Sequence, residues 1–293
     1  MQVVKRDGRI VPYERKKIEQ AMAKAFAQVN KPISAEALSA LIDRVEERFS
    51  DAHELSVEAI QDRVELQLME ADHYEVAKSY ILYREERRKK RMIRSRIEGY
   101  FPEVPKLHDV LLTIEDAFRE DVYDLRHLLY KFESFYKEGK SVAERMEALI
   151  HAAIELTDEE ATRWEFIAAR FYGIQYHQRL EKTWEKRITE GKVPGIDQPR
   201  PLRFSEKLRS MHAEGLYGDE VLEHYTTEEL EEAAGWIDES HDLLFNYSGY
   251  DLLVNRYVVR SFDLEPLETI QEMMLGIALF LAIPEKERNL YWA

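Results

Sequence analysis

Three cations near the start of the chain are spaced to hold a polyanion. Lys5 and Arg6 precede an Asp7-Gly8 pair, and Lys17 follows where the pattern reads as the first turn of a helix. The run Val3-Val4-Lys5-Arg6-Asp7-Gly8-Arg9-Ile10-Val11-Pro12-Tyr13 puts β-branched residues on both sides of Asp7-Gly8, a strong hairpin-turn signal. A hairpin carrying two cations and feeding a helix start gathers positive charge beside unpaired helix-terminal N–H donors. A triphosphate needs that arrangement. A solvated basic hairpin would use the same residues, so residue types alone leave both readings open.

Other chemistry is poorly served. The sequence has no cysteine, which excludes disulfides, thiolate metal sites, cysteine nucleophiles and thiyl radicals within these 293 residues. The nine histidines show no H-E-x-x-H or comparable ligand spacing, and His212, His224 and His241, though near acids, read as surface residues. The carboxylate run 228–232 reads as a solvated helix face, and Phe166, Phe171, Tyr172 and Tyr176 fall at helical spacing and read as core. Residues 87–91 read as a charged linker helix rather than a nucleic-acid contact. A net charge of -15 opposes unspecific binding to nucleic acid or anionic membranes, while still permitting a local basic pocket. Apolar stretches such as 273–283 are too short to span a bilayer, and the polar start after Met1 has no leader pattern. The expectation is a cytoplasmic chain with no nucleic-acid or membrane partner and no redox cofactor of its own.

The elements that must position the cations follow from periodicity. After the hairpin, Ile18, Met22, Phe26 and Val29 share one helical face from Arg15 onward. Ser34 can cap a second helix with Leu38, Leu41, Ile42, Val45 and Phe49 on one side. Ser56 starts a third with Val57, Ile60, Val64 and Leu68, leaving Glu58 on an expected solvated face. Tyr74 starts a fourth, with Ala77, Tyr80, Ile81 and Arg84 at helical spacing, which runs into the charged tail 84–91. Gly99, Pro102 and Pro105 are breakers, so the expected organisation is a domain over 1–92, a linker over 93–104 and a second domain over 105–293. In the second domain, 191–201 reads as a loop, Thr226-Thr227-Glu228-Glu229 opens a helix to Ile237, 252–260 turns β-rich, and a final helix covers 269–281. The fold class expected is mainly α (α+β): a small β-hairpin cap on a four-helix bundle, then a helical domain with a short β segment. A loose internal echo relates Ser56 through Tyr83 to Ser141 through Tyr172; a duplication and two independent amphipathic helix pairs both account for it.

The pattern V-x-K-R-D-G-x, a short spacer and K-I at a helix start resembles the opening of an ATP-cone, the nucleotide-binding module at the front of many ribonucleotide reductases. Ala77-Lys78-Ser79-Tyr80-Ile81-Leu82-Tyr83-Arg84 is similar to that module's ending, so the resemblance covers roughly the first 92 residues. It implies ATP or dATP as allosteric effectors, with Mg²⁺. By it Lys5, Arg6 and Lys17 correspond to phosphate-contacting positions, Val4 and Ile18 lie against the base, and Ser56 sits near the nucleotide. Arg84 and Arg87 are further candidates.

The remainder is similar to the large subunit of the same enzymes. Trp164-Glu165-Phe166-Ile167-Ala168-Ala169-Arg170 resembles the family's N-terminal helical region, and 248–257 resembles the stretch before the catalytic barrel. Glu268-Thr269-Ile270-Gln271-Glu272-Met273 is similar to E-T-P-Q-E-M, with Ile270 in place of the proline. The phosphate-binding T-P-T-L segment, the redox cysteines and the radical cysteine do not follow. The resemblance therefore implies a regulatory N-terminal portion of a ribonucleoside-diphosphate reductase large subunit, non-catalytic alone, its C-terminal catalytic portion separate or missing. A radical-generating small subunit and a homo-oligomer through the large subunit are the other implied partners. An apolar surface in want of a cover is expected near the end, with Leu275, Leu279, Leu290 and Trp292 as candidates. The alternatives are a nucleotide-responsive transcriptional regulator, which in that family carries a cysteine zinc ribbon, and a helical scaffold without enzymatic role.

Overall fold

A computed structural model describes every residue except Asp7, 50–52 and 286–293. The chain divides into two compact units, Met1–Met92 and Ile93–Ala293.

The first unit opens with the expected hairpin, β1 (Gln2–Val4) and β2 (Ile10–Pro12), paired antiparallel with Val4 opposite Ile10. Asp7 of the turn lies outside the described residues. Gly8 takes φ +82°, where a side chain is strained, and its N–H donates to the Lys5 carbonyl at 2.9 Å. The periodicity did not reveal a third strand, β3 (Glu54–Ser56), which pairs parallel to β1 with Val4 opposite Ser56, giving the order β2-β1-β3. Three residues are too few to show alternation.

Four helices follow the expected signals: α1 (Arg15–Gln28), α2 (Ala35–Glu47), α3 (Val57–Glu70) and α4 (Tyr74–Gly99). Ser34 and Ser56 are the N-caps of α2 and α3, accepting from the N–H groups of Ala37 and Ala59. Met22, Phe26, Ile42, Val45, Val64, Leu68 and Val76 form the buried core between them. The start of α1 is pinned to α2. Arg15 pairs with Asp43 at 2.7 Å and with Glu46, and the Tyr13 hydroxyl donates to Glu46 at 2.8 Å.

The stretch expected as a linker is not one. α4 runs to Gly99, and Ile97, Phe101 and Val104 are buried in the core of the second unit, so the breakers end a helix without freeing the chain. That unit continues with α5 (Lys106–Ala117), α6 (Leu125–Phe135), α7 (Val142–Ile154) and the long α8 (Trp164–Thr189). After the Gly- and Pro-rich loop come α9 (Phe204–Ala213), α10 (Glu220–His224), α11 (Thr227–Ala234), α12 (Tyr247–Arg256) and α13 (Ile270–Ala282). Thr226/Glu229 and Thr269/Glu272 both close capping boxes. Ile270 occupies the first helical position of α13, where proline is common, and fills it with a fully buried side chain.

The β-rich expectation over 252–260 is corrected. Asn246 caps α12 by accepting from Gly249 N–H, and Tyr250 and Val254, four residues apart, pack with Tyr176 and Met273. Tertiary burial of that face outweighs the local β propensity. Among the described residues beyond it only an isolated bridge forms, between Arg260 and Pro266. The echoed segments fall on α3–α4 and α7–α8, each after a Ser N-cap. Ser141 closes a capping box with Glu144, whereas Ser56 has Ala59 at that position and cannot. The four aromatics read as core are confirmed: Phe171 and Tyr176 are buried, and Phe166 and Tyr172 pack partly buried against them. Among the described residues no helix is long and apolar enough to cross a membrane.

Candidate functional site

The three-stranded sheet and the first turns of α1 and α3 bring most of the candidate residues together. The parallel pairing of β1 with β3 sets Val4 beside Ser56, and Ser56 in turn caps α3. Two residues beyond each partner, Arg6 meets Glu58. Its Nε lies 2.5 Å from Glu58 Oε1, and its Nη2 donates to Gln61 Oε1 at 3.0 Å. Glu58 is therefore not the uninvolved solvated residue expected from the pattern. It was missed because its partner is brought to it by the strand that periodicity could not show.

Lys17 stands in the first turn of α1, as expected, and its Nζ is 2.7 Å from Glu14 Oε1. The hydrogen bond and charge of Lys17 hold the Glu14 carboxyl below its usual range, and Lys5 lowers it further through its own field. Lys17 thus binds this carboxylate directly, and Lys5 of the hairpin acts on it only through its charge. Glu14 is the N-cap residue of α1, yet its side chain makes no capping bond, and the first turn of α1 holds no acid. Helix starts favour acids, so three successive cations, Arg15, Lys16 and Lys17, run against the helix dipole. Arg15 is accounted for by its grip on α2. Lys16 and Lys17 leave an electropositive helix start that an external anion would complement.

Ile18 and Arg84 serve packing. Ile18 is buried in the core of the first unit, while Val4 is half-buried on the sheet. Arg84 reaches α3, donating to Asp62 at 2.6 Å and Glu65 at 2.7 Å. Burial pulls its guanidinium pKa down, but the two carboxylates outweigh that and raise it, which marks a firm structural ion pair. Asp62 lies four residues after Glu58, so Arg84 binds α3 about one turn beyond the Arg6 contact. Arg87, further along α4, is exposed and has no hydrogen-bond or ion-pair partner among the described residues.

In the second unit two of the three histidines read as surface residues, His212 and His224, keep ordinary company. His212 Nδ1 contacts the Tyr217 carbonyl and Asp219, and His224 Nδ1 contacts the Glu220 carbonyl. Among the described residues no group of three or more His, Asp or Glu is placed to hold a metal ion.

Residues 1–89 match the ATP cone domain family. Along its length the chain is similar to the ribonucleoside-diphosphate reductase subunit alpha of Treponema pallidum, with 38% identity over 299 residues, covering 100% of this chain and 34% of that one. The subunit alpha of Chlamydia pneumoniae is 27% identical over 318 residues, covering 99% of this chain and 29% of its own. A vitamin B12-dependent ribonucleoside-diphosphate reductase from Thermoplasma acidophilum is 47% identical over 92 residues, 30% of this chain and 12% of that one. The chain spans about a third of the length of the relatives it matches from end to end. Residues 1–89 are an ATP-cone domain, and the chain as a whole is homologous to the N-terminal part of ribonucleoside-diphosphate reductase alpha subunits.

Proposed function

We propose that the first unit binds ATP or dATP, with Mg²⁺ carried on the nucleotide, and that the chain is the regulatory N-terminal portion of a reductase large subunit. The observation that carries this is the cation-rich, uncapped start of α1, holding Lys16 and Lys17 just after the hairpin that bears Lys5 and Arg6, inside an ATP-cone domain. Lys5, Arg6 and Lys17 take the triphosphate. Val4 and Ser56, adjacent across β1 and β3, border the nucleoside. ATP and dATP differ by one hydroxyl, so any difference in their effect on assembly and activity arises from how helix packing around the pocket responds to each. A transcriptional regulator with a cysteine zinc ribbon finds no support in a chain without cysteine.

Calorimetric titration of the 293-residue chain with MgATP and MgdATP is the test. Saturable heat and a raised melting temperature are expected with both nucleotides, by mass action on the folded state. No heat and no thermal shift at millimolar nucleotide would leave the scaffold reading in place.

Catalysis belongs, on this proposal, to a cysteine-bearing portion of the large subunit, and α13 supplies the face on which it rests. After Glu272 the helix carries no charge, and a helix apolar all round is buried all round. Leu279, expected on that face, is instead fully buried, and Leu275 is half-buried; Leu290 and Trp292 lie outside the described residues. The exposed stripe consists of Met274, Ile277, Phe280 and Leu281, and relatives about three times as long carry the chain that would cover it. Ile277→Glu is expected to abolish association with a separately supplied catalytic portion, read by analytical ultracentrifugation. Equal association of variant and parent would show that the stripe lies elsewhere than the interface.

A further inference from the structure

Two of the three cations assigned to the triphosphate, Arg6 and Lys17, already hold a carboxylate of the same chain. Arg6 is engaged by Glu58 at 2.5 Å and steadied by Gln61, while Lys17 is engaged by Glu14 at 2.7 Å within the field of Lys5. Glu14 sits at the N-cap of α1 and Glu58 in the first turn of α3, so the two acids meet these cations at two different helix starts. Both pairs are solvent-accessible, with side chains roughly half exposed. An exposed pair of this kind is held weakly and exchanges readily for a stronger partner. A triphosphate is such a partner, since it presents several oxyanions at once to the same donors.

We infer that Glu14 and Glu58 are internal counter-ions of the nucleotide site, occupying Lys17 and Arg6 in the free chain and giving way when a triphosphate binds. The inference rests on the nucleotide-site reading above and adds two affinity-setting residues to it. The carboxylates compete with the phosphates for the same N–H donors, so they hold the affinity below what the three cations could reach. They also keep the cations ordered and their charge satisfied when no nucleotide is present. A carboxylate that gives way stays close to the phosphates it has released, and its repulsion adds to the competition.

The test uses the full 293-residue chain, titrated calorimetrically with MgATP and separately with inorganic tripolyphosphate. Glu58→Gln and Glu14→Gln are each expected to tighten binding about two- to five-fold, and the double variant about ten-fold, the scale on which exposed ion pairs compete. The gain should be the same with tripolyphosphate, because the competition is for phosphate alone. Glu47→Gln, which removes a charge from an exposed position on α2, serves as control and should change affinity by less than either. In an Arg6→Gln background, Glu58→Gln should bring no gain, since its partner is gone. Unliganded melting temperatures check that the variants stay folded. Parent-like or weaker binding by Glu58→Gln would overturn the inference and make Glu58 a positioning residue for Arg6. A gain from Glu47→Gln equal to that from Glu58→Gln would overturn it too, by reducing the effect to net charge. If neither parent nor variants bind either probe, the nucleotide-site reading itself fails and takes this inference with it; binding by the parent without the Glu58 effect separates the two failures.

Discussion

Alanine at Lys17 or at Arg6 is expected to weaken ATP binding by roughly 1.5–3 kcal/mol each, about 10- to 150-fold, the range for hydrogen bonds to charged groups. The loss is deepened by the carboxylate each residue leaves behind. Without Arg6, Glu58 stands unpaired beside the phosphates; without Lys17, Glu14 does so. Removing the cation therefore deletes an attraction and exposes a repulsion, which places the effect toward the upper end of the range. Arg84→Ala is expected to behave differently. It strips the partner from Asp62 and Glu65 on α3, so its first effect is a lower melting temperature without ligand. Isothermal titration beside unliganded melting curves distinguishes the two signatures. Parent-like ATP affinity in both Lys17→Ala and Arg6→Ala would remove the triphosphate from this end of the first unit.

The parts of this arrangement that the sequence carried are the local ones. The Gly8 turn, the Ser34, Ser56, Thr226 and Thr269 caps and the apolar faces of α1 to α4 each depend on residues within a few positions of one another. The site depends on pairs that are distant in sequence. Arg6 and Glu58 are brought together by the parallel β1–β3 register, and a three-residue strand has no periodicity to announce it. The same limit explains Ile18, whose place on an apolar helical face was clear but whose burial in the core of the first unit is a matter of tertiary packing. It also explains 252–260, where local β propensity yielded to the packing of Tyr250 and Val254. Glycine and proline after α4 did mark a helix end; that the stretch around them is core follows only from Ile97, Phe101 and Val104 meeting α5 and its neighbours. Glu14 was legible in principle, as an acid three residues before a lysine at a helix start. The charge that Lys5 exerts on it was not, because that depends on where the hairpin lies relative to the start of α1.

The second unit carries a titration that should appear in its stability. Glu268 is buried between Leu267 and the cap of α13, and its Oε1 accepts from the Val259 N–H at 2.8 Å, tying the loop after α12 to the start of α13. Tyr176, Tyr217, Glu272 and Lys207 surround it. Burial is the main influence and pushes its pKa from 4.5 up to about 7; Glu272 adds to this, while the Val259 bond and Lys207 oppose it. A folded-state pKa above the unfolded one means that the protonated carboxyl is the stable form inside the fold. Its contribution is fully present below about pH 4.5 and is lost as pH rises through 7. The loss is on the order of 3 kcal/mol, from 1.36 kcal/mol per pKa unit. Glu206 acts in the opposite sense in a separate window: its hydrogen bond with Arg200 holds it near 2, against the pull of burial, so its contribution is lost only as the solution becomes strongly acidic. Glu268→Gln keeps an oxygen acceptor for Val259 and cannot ionise. The parent is therefore expected to lose stability between pH 4.5 and 7.5 relative to the glutamine variant, with the two unfolding curves drawing together again at low pH. Denaturant melts of both proteins across that range measure the difference directly. Parallel pH profiles would mean that Glu268 is ionised at little cost, with Lys207 rather than burial deciding its charge, and that the Val259 tie owes nothing to a proton.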